Sequence, residues 1–172
     1  MKAILVLALL LLALATPAAP SPNAGALFSA TLQDIDGRSF SMASLRGTPI
    51  IVNFWARWCA PCRREFPHLI RAARRHPDIH IIGIGLEDQP QAVREFAAAY
   101  GIRYPLLLAG DAGVSLLVAL DDPQAGLPYT IAIARDGKVL FRKLGALDAQ
   151  DVSRAVARLR APDAGPHARA MR

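Results

Sequence analysis

IIVNFWARWCAPCRREFP, residues 50–67, is the stretch that decides the fold of this chain. It opens with an almost unbroken apolar run, which predicts a strand buried on both faces of a sheet. A Cys-x-x-Cys motif follows, and after it comes a charged segment of helical character. Cys59 and Cys62 are the only cysteines in the chain, and they lie where the predicted strand gives way to the predicted helix.

The spacing of these two cysteines indicates redox chemistry. If the helix begins at about Cys59, the two sulfurs lie one helical turn apart on the same side. Cys59 is then among the unpaired N–H groups of the first turn, where the helix dipole stabilises an anion. Pro61 fits there, because a first-turn residue needs no N–H to donate. The thiolate is the nucleophile in disulfide exchange, so we predict that Cys59 attacks and Cys62 resolves.

Two other uses of the cysteines are weaker. A purely structural bridge would close a loop of four residues and add roughly 2 kcal/mol, against about 3 kcal/mol for a 15-residue loop. A zinc site needs two further ligands at regular spacing. The four histidines supply no second paired motif, and we therefore expect no metal site; they are His68, His76, His80 and His167.

At these residues the chain resembles the thioredoxin superfamily, and within it the TlpA/ResA-like branch of exported thiol–disulfide oxidoreductases. A bare Cys-x-x-Cys is a weak signal, but a buried strand and Trp58 before it, with Glu65 and Pro67 after it, make it specific. The resemblance covers roughly residues 26–159. Two later segments also carry it, GLPYT at residues 126–130 and RDGK at residues 135–138.

The pattern of strands and helices predicts an α/β fold, a thioredoxin-like three-layer sandwich with a central mixed β-sheet flanked by helices and an N-terminal hairpin. Predicted strands cover residues 27–32, 38–40, 50–56, 79–85, 106–108, 129–134 and 138–144. Predicted helices cover residues 60–75, 91–100, 113–120 and 149–160, the last of them capped by Asp148. Pro67 falls inside the predicted helix at residues 60–75, which follows the cysteines.

The resemblance also implies residues that bind substrate. The family carries a cis-proline at the position of Pro128, stacked against the Cys-x-x-Cys motif. Leu127 would then offer its backbone to an extended segment of a substrate protein, which pairs with it like an added strand. Trp58 is expected to be partly exposed and to contact partner proteins.

Glu65 is the third candidate catalytic residue, after Cys59 and Cys62. Thioredoxins carry a buried aspartate where this chain has Asn53, and an amide takes no proton from Cys62. Glu65 lies three residues after Cys62, and relatives in the TlpA/ResA-like branch carry a glutamate there. We expect Glu65 to assist this proton transfer or to tune the thiol pKa values. The alternative is an exposed first-turn glutamate that only complements the helix dipole.

The N-terminus predicts export. Lys2 and the apolar run that follows it indicate a signal peptide at residues 1–15, with an uncleaved membrane anchor as the alternative. Residues 16–25 are expected to form a linker, 26–160 a thioredoxin-like domain and 161–172 a disordered tail. The expected location is the periplasm or cell envelope, and the expected state is a monomer.

Charge narrows the list of partners. The formal net charge is +6, and the chain has 20 basic residues. Arginines around the motif, among them Arg57 and Arg63, predict a positive field that stabilises a thiolate. Nucleic-acid binding is not expected, because no interleaved aromatic motif accompanies the basic residues. Membrane contact is expected only through an uncleaved N-terminal anchor.

These observations predict an enzyme, an exported thiol–disulfide oxidoreductase that reduces disulfides in other envelope proteins. No cofactor is expected, and a membrane thiol donor would re-reduce Cys59 and Cys62. The rivals are the same fold acting as a disulfide oxidant, and a binding or metal-delivery module that uses the thiols as ligands. Some relatives serve cytochrome c biogenesis and others copper sites, and the sequence does not choose between these clients.

Overall fold

A strand, a short connection and a long helix at residues 50–75 place the cysteine pair at one end of a central sheet. The structure, a computed structural model, describes residues 24–161. Its helices are α1 (Gly25–Ser29), α2 (Ala60–Arg75), α3 (Pro90–Tyr100), α4 (Ala112–Ala119) and α5 (Ala149–Arg160). Its strands are β1 (Thr31–Asp34), β2 (Ser39–Ser41), β3 (Ile50–Trp55), β4 (His80–Gly85), β5 (Leu106–Leu108), β6 (Tyr129–Ile133) and β7 (Val139–Leu144), and a 3₁₀ helix spans Met42–Leu45.

The strands of this part of the chain form one mixed sheet in the order β2-β1-β5-β4-β3-β6-β7. Strand β3 runs parallel to β4 and antiparallel to β6, where Asn53 lies opposite Thr130. Strands β4 and β5 are parallel, and the outer pairs β1–β2 and β6–β7 are antiparallel hairpins. The central mixed sheet that the sequence predicts is therefore confirmed.

Both faces of the sheet are covered, which confirms the three-layer sandwich. Every residue of β3 is buried, and its side chains alternate between two apolar clusters. Ile51 and Trp55 join side chains of α2, α3 and α5 on one face. Ile50, Val52 and Phe54 join α1, α4 and the 3₁₀ helix on the other. The redox motif follows β3, and its cysteines belong to the first cluster.

The N-terminal part differs from the prediction. We predicted a strand at residues 27–32, but α1 occupies Gly25–Ser29 and β1 begins only at Thr31. Leu27 and Phe28 are both buried in the same cluster, and a strand would turn adjacent side chains to opposite faces. A helical turn lets both side chains enter that cluster. The predicted hairpin is present through the pairing of β1 with β2. Gly25, the last residue of the predicted linker, is the first residue of α1.

The other predictions about the chain ends concern residues beyond the described range. The signal peptide at 1–15, the linker up to residue 23 and the tail from residue 162 lie outside residues 24–161. Within that range, no helix combines the length and the apolar character needed to cross a membrane.

Candidate active site

The cysteine pair lies at the N-terminus of α2, as the sequence predicts. Cys59 is the N-cap residue, and its sulfur accepts a hydrogen bond from the backbone N–H of Cys62 at 3.2 Å. A disulfide joins the two residues, whose Cα atoms are 5.3 Å apart. Cys62 is wholly buried, and Cys59 is 4% exposed. Since Cys59 lies nearer to solvent and at the positive end of the helix dipole, it is the better placed of the two to attack a partner.

The connection between β3 and α2 is held by charged groups. The buried Glu87 accepts hydrogen bonds from the backbone N–H of Arg57 at 2.6 Å and from its Nε at 3.1 Å. Arg63 of α2 donates to the Arg57 carbonyl at 3.1 Å. The charge of Arg57, which we expected to add to a positive field, is thus paired with Glu87. Its contact with Glu87 positions the residues that precede Cys59, and no sequence pattern predicts this contact.

Glu65 is buried, which overturns the alternative of an exposed first-turn glutamate. It is the sixth residue of a helix that begins at Ala60, and its side chain is inaccessible to solvent. Oε1 accepts from Asn53 Nδ2 at 2.7 Å, and Oε2 accepts from the Leu147 backbone N–H at 2.8 Å. The prediction that Glu65 does more than complement the helix dipole now has a physical basis in this buried setting.

Burial raises the pKa of the Glu65 carboxyl from its ordinary value of 4.5 to about 7. The hydrogen bonds from Leu147 and Asn53 favour the carboxylate and oppose this rise, as does the charge of Lys143, whereas Asp151 adds to it. Desolvation is the largest of these effects, because the carboxylate loses water that two hydrogen bonds replace only in part. A carboxyl with a pKa near neutrality is suited to accept and return a proton.

Thr130 completes the surroundings of Asn53 and was not among the residues that the sequence singled out. Its hydroxyl accepts from Asn53 Nδ2 at 3.0 Å, and both side chains are wholly buried. The only signal in the sequence was that a small polar residue interrupts the aromatic and aliphatic residues at 129–134. Leu147 gave no signal at all, because it acts through its backbone.

The bond between Leu127 and Pro128 is cis, as the resemblance implies. Pro128 is buried immediately before β6, and its carbonyl accepts from the Gly145 N–H at 2.8 Å. Leu127 is half-buried and packs against the cluster that contains both cysteines. The chain entering β6 thus reaches the same end of the sheet as the disulfide.

A family model described as Redoxin matches residues 19–159 of the chain. The chain belongs to the Redoxin family. Among solved structures, this Redoxin-family protein is similar to a thiol:disulfide interchange protein of the thioredoxin family from Chlorobium tepidum TLS, with a TM-score of 0.68 and 30% identity. That likeness covers 83% of this chain and 97% of the other. The resemblance to TlpA/ResA-like members of the thioredoxin superfamily is confirmed.

Curated relatives of this Redoxin-family chain carry names of the same kind. It is 32% identical to the thiol-disulfide oxidoreductase ResA of Bacillus subtilis over 111 residues, and this aligned region covers 63% of this chain and 60% of that protein. It is 40% identical over 109 residues to the thiol:disulfide interchange protein HelX of Rhodobacter capsulatus, covering 63% and 59%. The matched region thus spans about three fifths of the length of these two relatives.

The surface next to the disulfide of this Redoxin-family protein has an exposed aromatic side chain. Trp58 is 72% exposed, whereas Trp55 is wholly buried beneath the site. Trp58 lines a groove of about 360 Å³ together with Leu86 and Val114. Three acidic residues also line it, Glu87, Asp88 and Asp111. An apolar ring beside the cysteines, with water on its other face, is suited to contact another protein.

Residues 24–161 of the Redoxin-family chain include histidine, cysteine, aspartate and glutamate side chains, the residue types that bind zinc. No cluster of three or more histidine, cysteine, aspartate or glutamate side chains in that range is arranged to hold an ion. The groups present at the site are a cysteine pair, a buried carboxyl and the hydrogen bonds around them.

Proposed function

We propose that this protein is an exported thiol–disulfide oxidoreductase that reduces disulfides in other proteins of the cell envelope. The observation that carries the proposal is the Cys59–Cys62 disulfide at the N-terminus of α2, with Cys59 as the N-cap residue. The Redoxin family match and the names of the relatives support oxidoreductase activity.

The proposed reaction transfers two electrons from the enzyme to a client. The Cys59 thiolate attacks one sulfur of the client disulfide, forms a mixed disulfide with it and displaces the other client sulfur as a thiolate. That thiolate takes a proton from water. Cys62 then loses its proton, and its thiolate attacks the Cys59 sulfur. This step closes the Cys59–Cys62 disulfide and releases the second client sulfur as a thiolate, which takes a proton from water. The client thus gains two electrons and two protons.

Cys62 lies one helical turn before Glu65 on α2, and Glu65 is proposed to accept the proton that Cys62 loses. A pKa of about 7 leaves a substantial fraction of the carboxyl ionised and ready to accept at neutral pH. In Glu65→Gln we expect slower release of the mixed disulfide and a changed pH dependence of reduction, measured by stopped-flow with a model disulfide. Thiolate absorbance against pH should show a lower pKa for at least one cysteine, because a negative charge near it is gone. Superimposable curves in both assays would remove Glu65 from the mechanism.

Trp58, Leu127 and Pro128 are proposed to bind the client. Trp58 supplies an exposed apolar surface, and the half-buried Leu127 supplies backbone groups for an extended client segment. The buried Pro128 fixes the direction of the chain next to the cysteines. A membrane thiol donor is proposed to reduce the enzyme again after each turnover.

The direction of electron flow distinguishes this proposal from its rival, a disulfide oxidant. We expect a reduction potential near that of thioredoxin, about −270 mV, and a mostly reduced protein in the cell. The measurement is equilibration of Cys59 and Cys62 in glutathione buffers, together with trapping of the cellular redox state. A potential near that of DsbA, about −120 mV, would refute the reductase assignment and favour the oxidant. Metal retained by the purified reduced protein would favour a metal-delivery module.

Export is proposed from the N-terminal sequence, with cleavage after Ala15 and a periplasmic or envelope location. The mass of the mature protein tests this: a chain that begins at Thr16 supports it, and an intact Met1 in the membrane fraction supports an anchored enzyme. The client is proposed to be an envelope protein with a disulfide, for which cytochrome c and copper-site proteins are the two candidates.

A further inference from the structure

Asn53 lies between Glu65 and Thr130 and binds both through its side-chain NH₂ group. Its Nδ2 donates to Glu65 Oε1 at 2.7 Å and to Thr130 Oγ1 at 3.0 Å. Its Oδ1 is also buried and has no hydrogen-bond partner. Both amide hydrogens are therefore used, and the amide presents only donors to the carboxylate.

When Glu65 takes up a proton, one of its carboxyl oxygens changes from a hydrogen-bond acceptor to a donor. Oε2 accepts from the Leu147 backbone N–H at 2.8 Å, and that donor has no means of becoming an acceptor. The proton therefore belongs on Oε1, which faces Asn53. With the amide oriented for the carboxylate, an O–H would meet an N–H, and two donors would oppose each other in a site without access to water.

We propose that Asn53 is a rotatable amide that follows the protonation state of Glu65, with its NH₂ group binding the carboxylate and its oxygen binding the carboxylic acid. A half-turn about the terminal bond exchanges Oδ1 and Nδ2, which are nearly equal in size. Oδ1 then accepts from the Glu65 O–H and from the Thr130 hydroxyl, and the NH₂ group lies where Oδ1 had no partner. The turned acid leaves two N–H groups unpaired, whereas the unturned acid would leave the Glu65 O–H, one N–H and Oδ1 unpaired. Thr130 serves both orientations, because a hydroxyl accepts in one and donates in the other.

Asn53 and Thr130 are then positioning residues that act through Glu65. This inference rests on the proposed function, in which Glu65 takes a proton from Cys62 and later returns it to the solvent. Each transfer leaves the buried carboxyl hydrogen-bonded, so neither protonation state is penalised by an unpaired Oε1. An aspartate at position 53 would compete for the same proton, and a leucine would offer neither donor nor acceptor.

Charged groups from other elements set the pH at which the amide turns. Lys143 of β7 favours the Glu65 carboxylate, and Asp151 of α5 favours the acid. Lys143 and Asp151 form an ion pair with each other. Tyr104, before β5, is a buried phenol whose pKa is raised by its burial and then by the charge of Glu65. The disulfide between Cys59 and Cys62 adds no titrating group while it is closed.

The test is NMR of the ¹⁵N-labelled, full-length oxidised protein between pH 5 and pH 9. Because the disulfide is closed, no thiol titrates in this experiment. We expect the Asn53 side-chain amide signals to move with the titration of Glu65 and the nuclear Overhauser contacts from its NH₂ protons to Thr130 to be present at high pH and lost at low pH. If those contacts persist unchanged through the titration of Glu65, the amide does not turn and the inference is wrong.

Three variants, two of them a matched pair at Thr130, separate this role from a merely structural one. Glu65→Gln, whose NH₂ group needs an acceptor, should hold Asn53 in the low-pH orientation at every pH. Thr130→Val removes the acceptor of one Asn53 N–H in the carboxylate orientation, whereas in the acid orientation Oδ1 keeps the Glu65 O–H as its donor. The variant should therefore raise the Glu65 midpoint by about one unit, a tenfold change in proton affinity. Thr130→Ser keeps the hydroxyl and should leave the midpoint in place. Equal shifts in Thr130→Val and Thr130→Ser would contradict the inference.

The outcome is independent of the direction of electron flow. A reduction potential like that of an oxidant would refute the reductase assignment without altering these NMR contacts. Conversely, a fixed amide would remove the role of Asn53 and leave the assignment of Cys59 and Cys62 intact.

Discussion

The burial of Glu65 predicts a pH dependence of folding stability. Its carboxyl has a pKa of about 7 in the folded protein and an ordinary value of 4.5. Below pH 4.5 the carboxyl is protonated in both states, and the full stability is present. As the pH rises through 7, the unfolded chain has lost this proton while the folded protein gives it up only at the cost of burying a charge. Stability therefore falls between about pH 4.5 and 7 and levels off above.

The size of the effect follows from the two pKa values. One pKa unit corresponds to about 1.4 kcal/mol, so the change from 4.5 to about 7 lowers the free energy of unfolding by about 3 kcal/mol at high pH. Glu65→Gln has no carboxyl to titrate and should lack this loss. We expect the variant to resemble the natural protein in stability at pH 4.5 and to exceed it at pH 8.

The assay is urea unfolding of both proteins, with the disulfide closed, at a series of pH values. The difference in unfolding free energy between them is the quantity to follow, because contributions from groups other than Glu65 are common to both proteins and cancel. Glu95→Gln, which changes an exposed glutamate of α3, is the matched control and should show a flat difference. If the difference for Glu65→Gln changes by less than about 1 kcal/mol over this range, Glu65 titrates like an exposed carboxyl and our account of the site fails.

Three further outcomes are expected. Cys62→Ser should trap client proteins on Cys59 as mixed disulfides, whereas Cys59→Ser should trap few; equal trapping on non-reducing gels would mean that Cys59 is not the privileged nucleophile. Trp58→Ala should lower kcat/KM for a protein client about tenfold and leave reduction of a small disulfide unchanged, with Trp58→Phe closer to the natural protein; equal losses for both substrates would place Trp58 outside client binding. Gly83→Ala should destabilise the fold by about 1–3 kcal/mol in urea unfolding, because a Cβ there would lie 2.5 Å from a side-chain carbon of β5. Gly85→Ala is the control and should cost less than about 1 kcal/mol, because the nearest atom to its added Cβ is 3.5 Å away. Similar losses in the two variants would contradict this packing.

The sequence predicted those parts of the structure that depend on neighbouring residues. Helix α2 has the predicted bounds, since its N-cap cysteine, early proline and basic last turn are all local signals. The N-cap of α5 is another case, since the side chain of the predicted cap Asp148 accepts from the Asp151 N–H at 2.8 Å. Helix α1 was missed because its five residues are too few to show a helical period, and two adjacent apolar side chains fit a strand equally well.

The candidate site was predicted in its cysteines but not in its surroundings. Spacing alone placed Cys59 and Cys62 at the start of a helix. The depth of Glu65 depends on Asn53 of β3 and on Leu147 before α5, which no local pattern connects to it. The contact between Glu87 and Arg57 likewise joins residues 30 positions apart, through the backbone N–H and the Nε of Arg57, and no local pattern connects the two residues. Long-range hydrogen bonds to the backbone are the class of contact that a single sequence conceals.

The backbone of Leu147 reaches Glu65 across 82 residues of chain, and this separation bears on how the protein comes into being. Synthesis proceeds from the N-terminus, so the two cysteines exist well before the segment that hydrogen-bonds the carboxyl behind them. Contacts between distant positions also carry the larger loop-closure entropy during folding. A nascent chain, or one truncated before β7, therefore lacks the Leu147 N–H that binds the Glu65 carboxylate in the complete fold. The proton transfer that we propose for Glu65 depends on this contact, and we expect an incomplete chain that lacks Leu147 to exchange thiols without it.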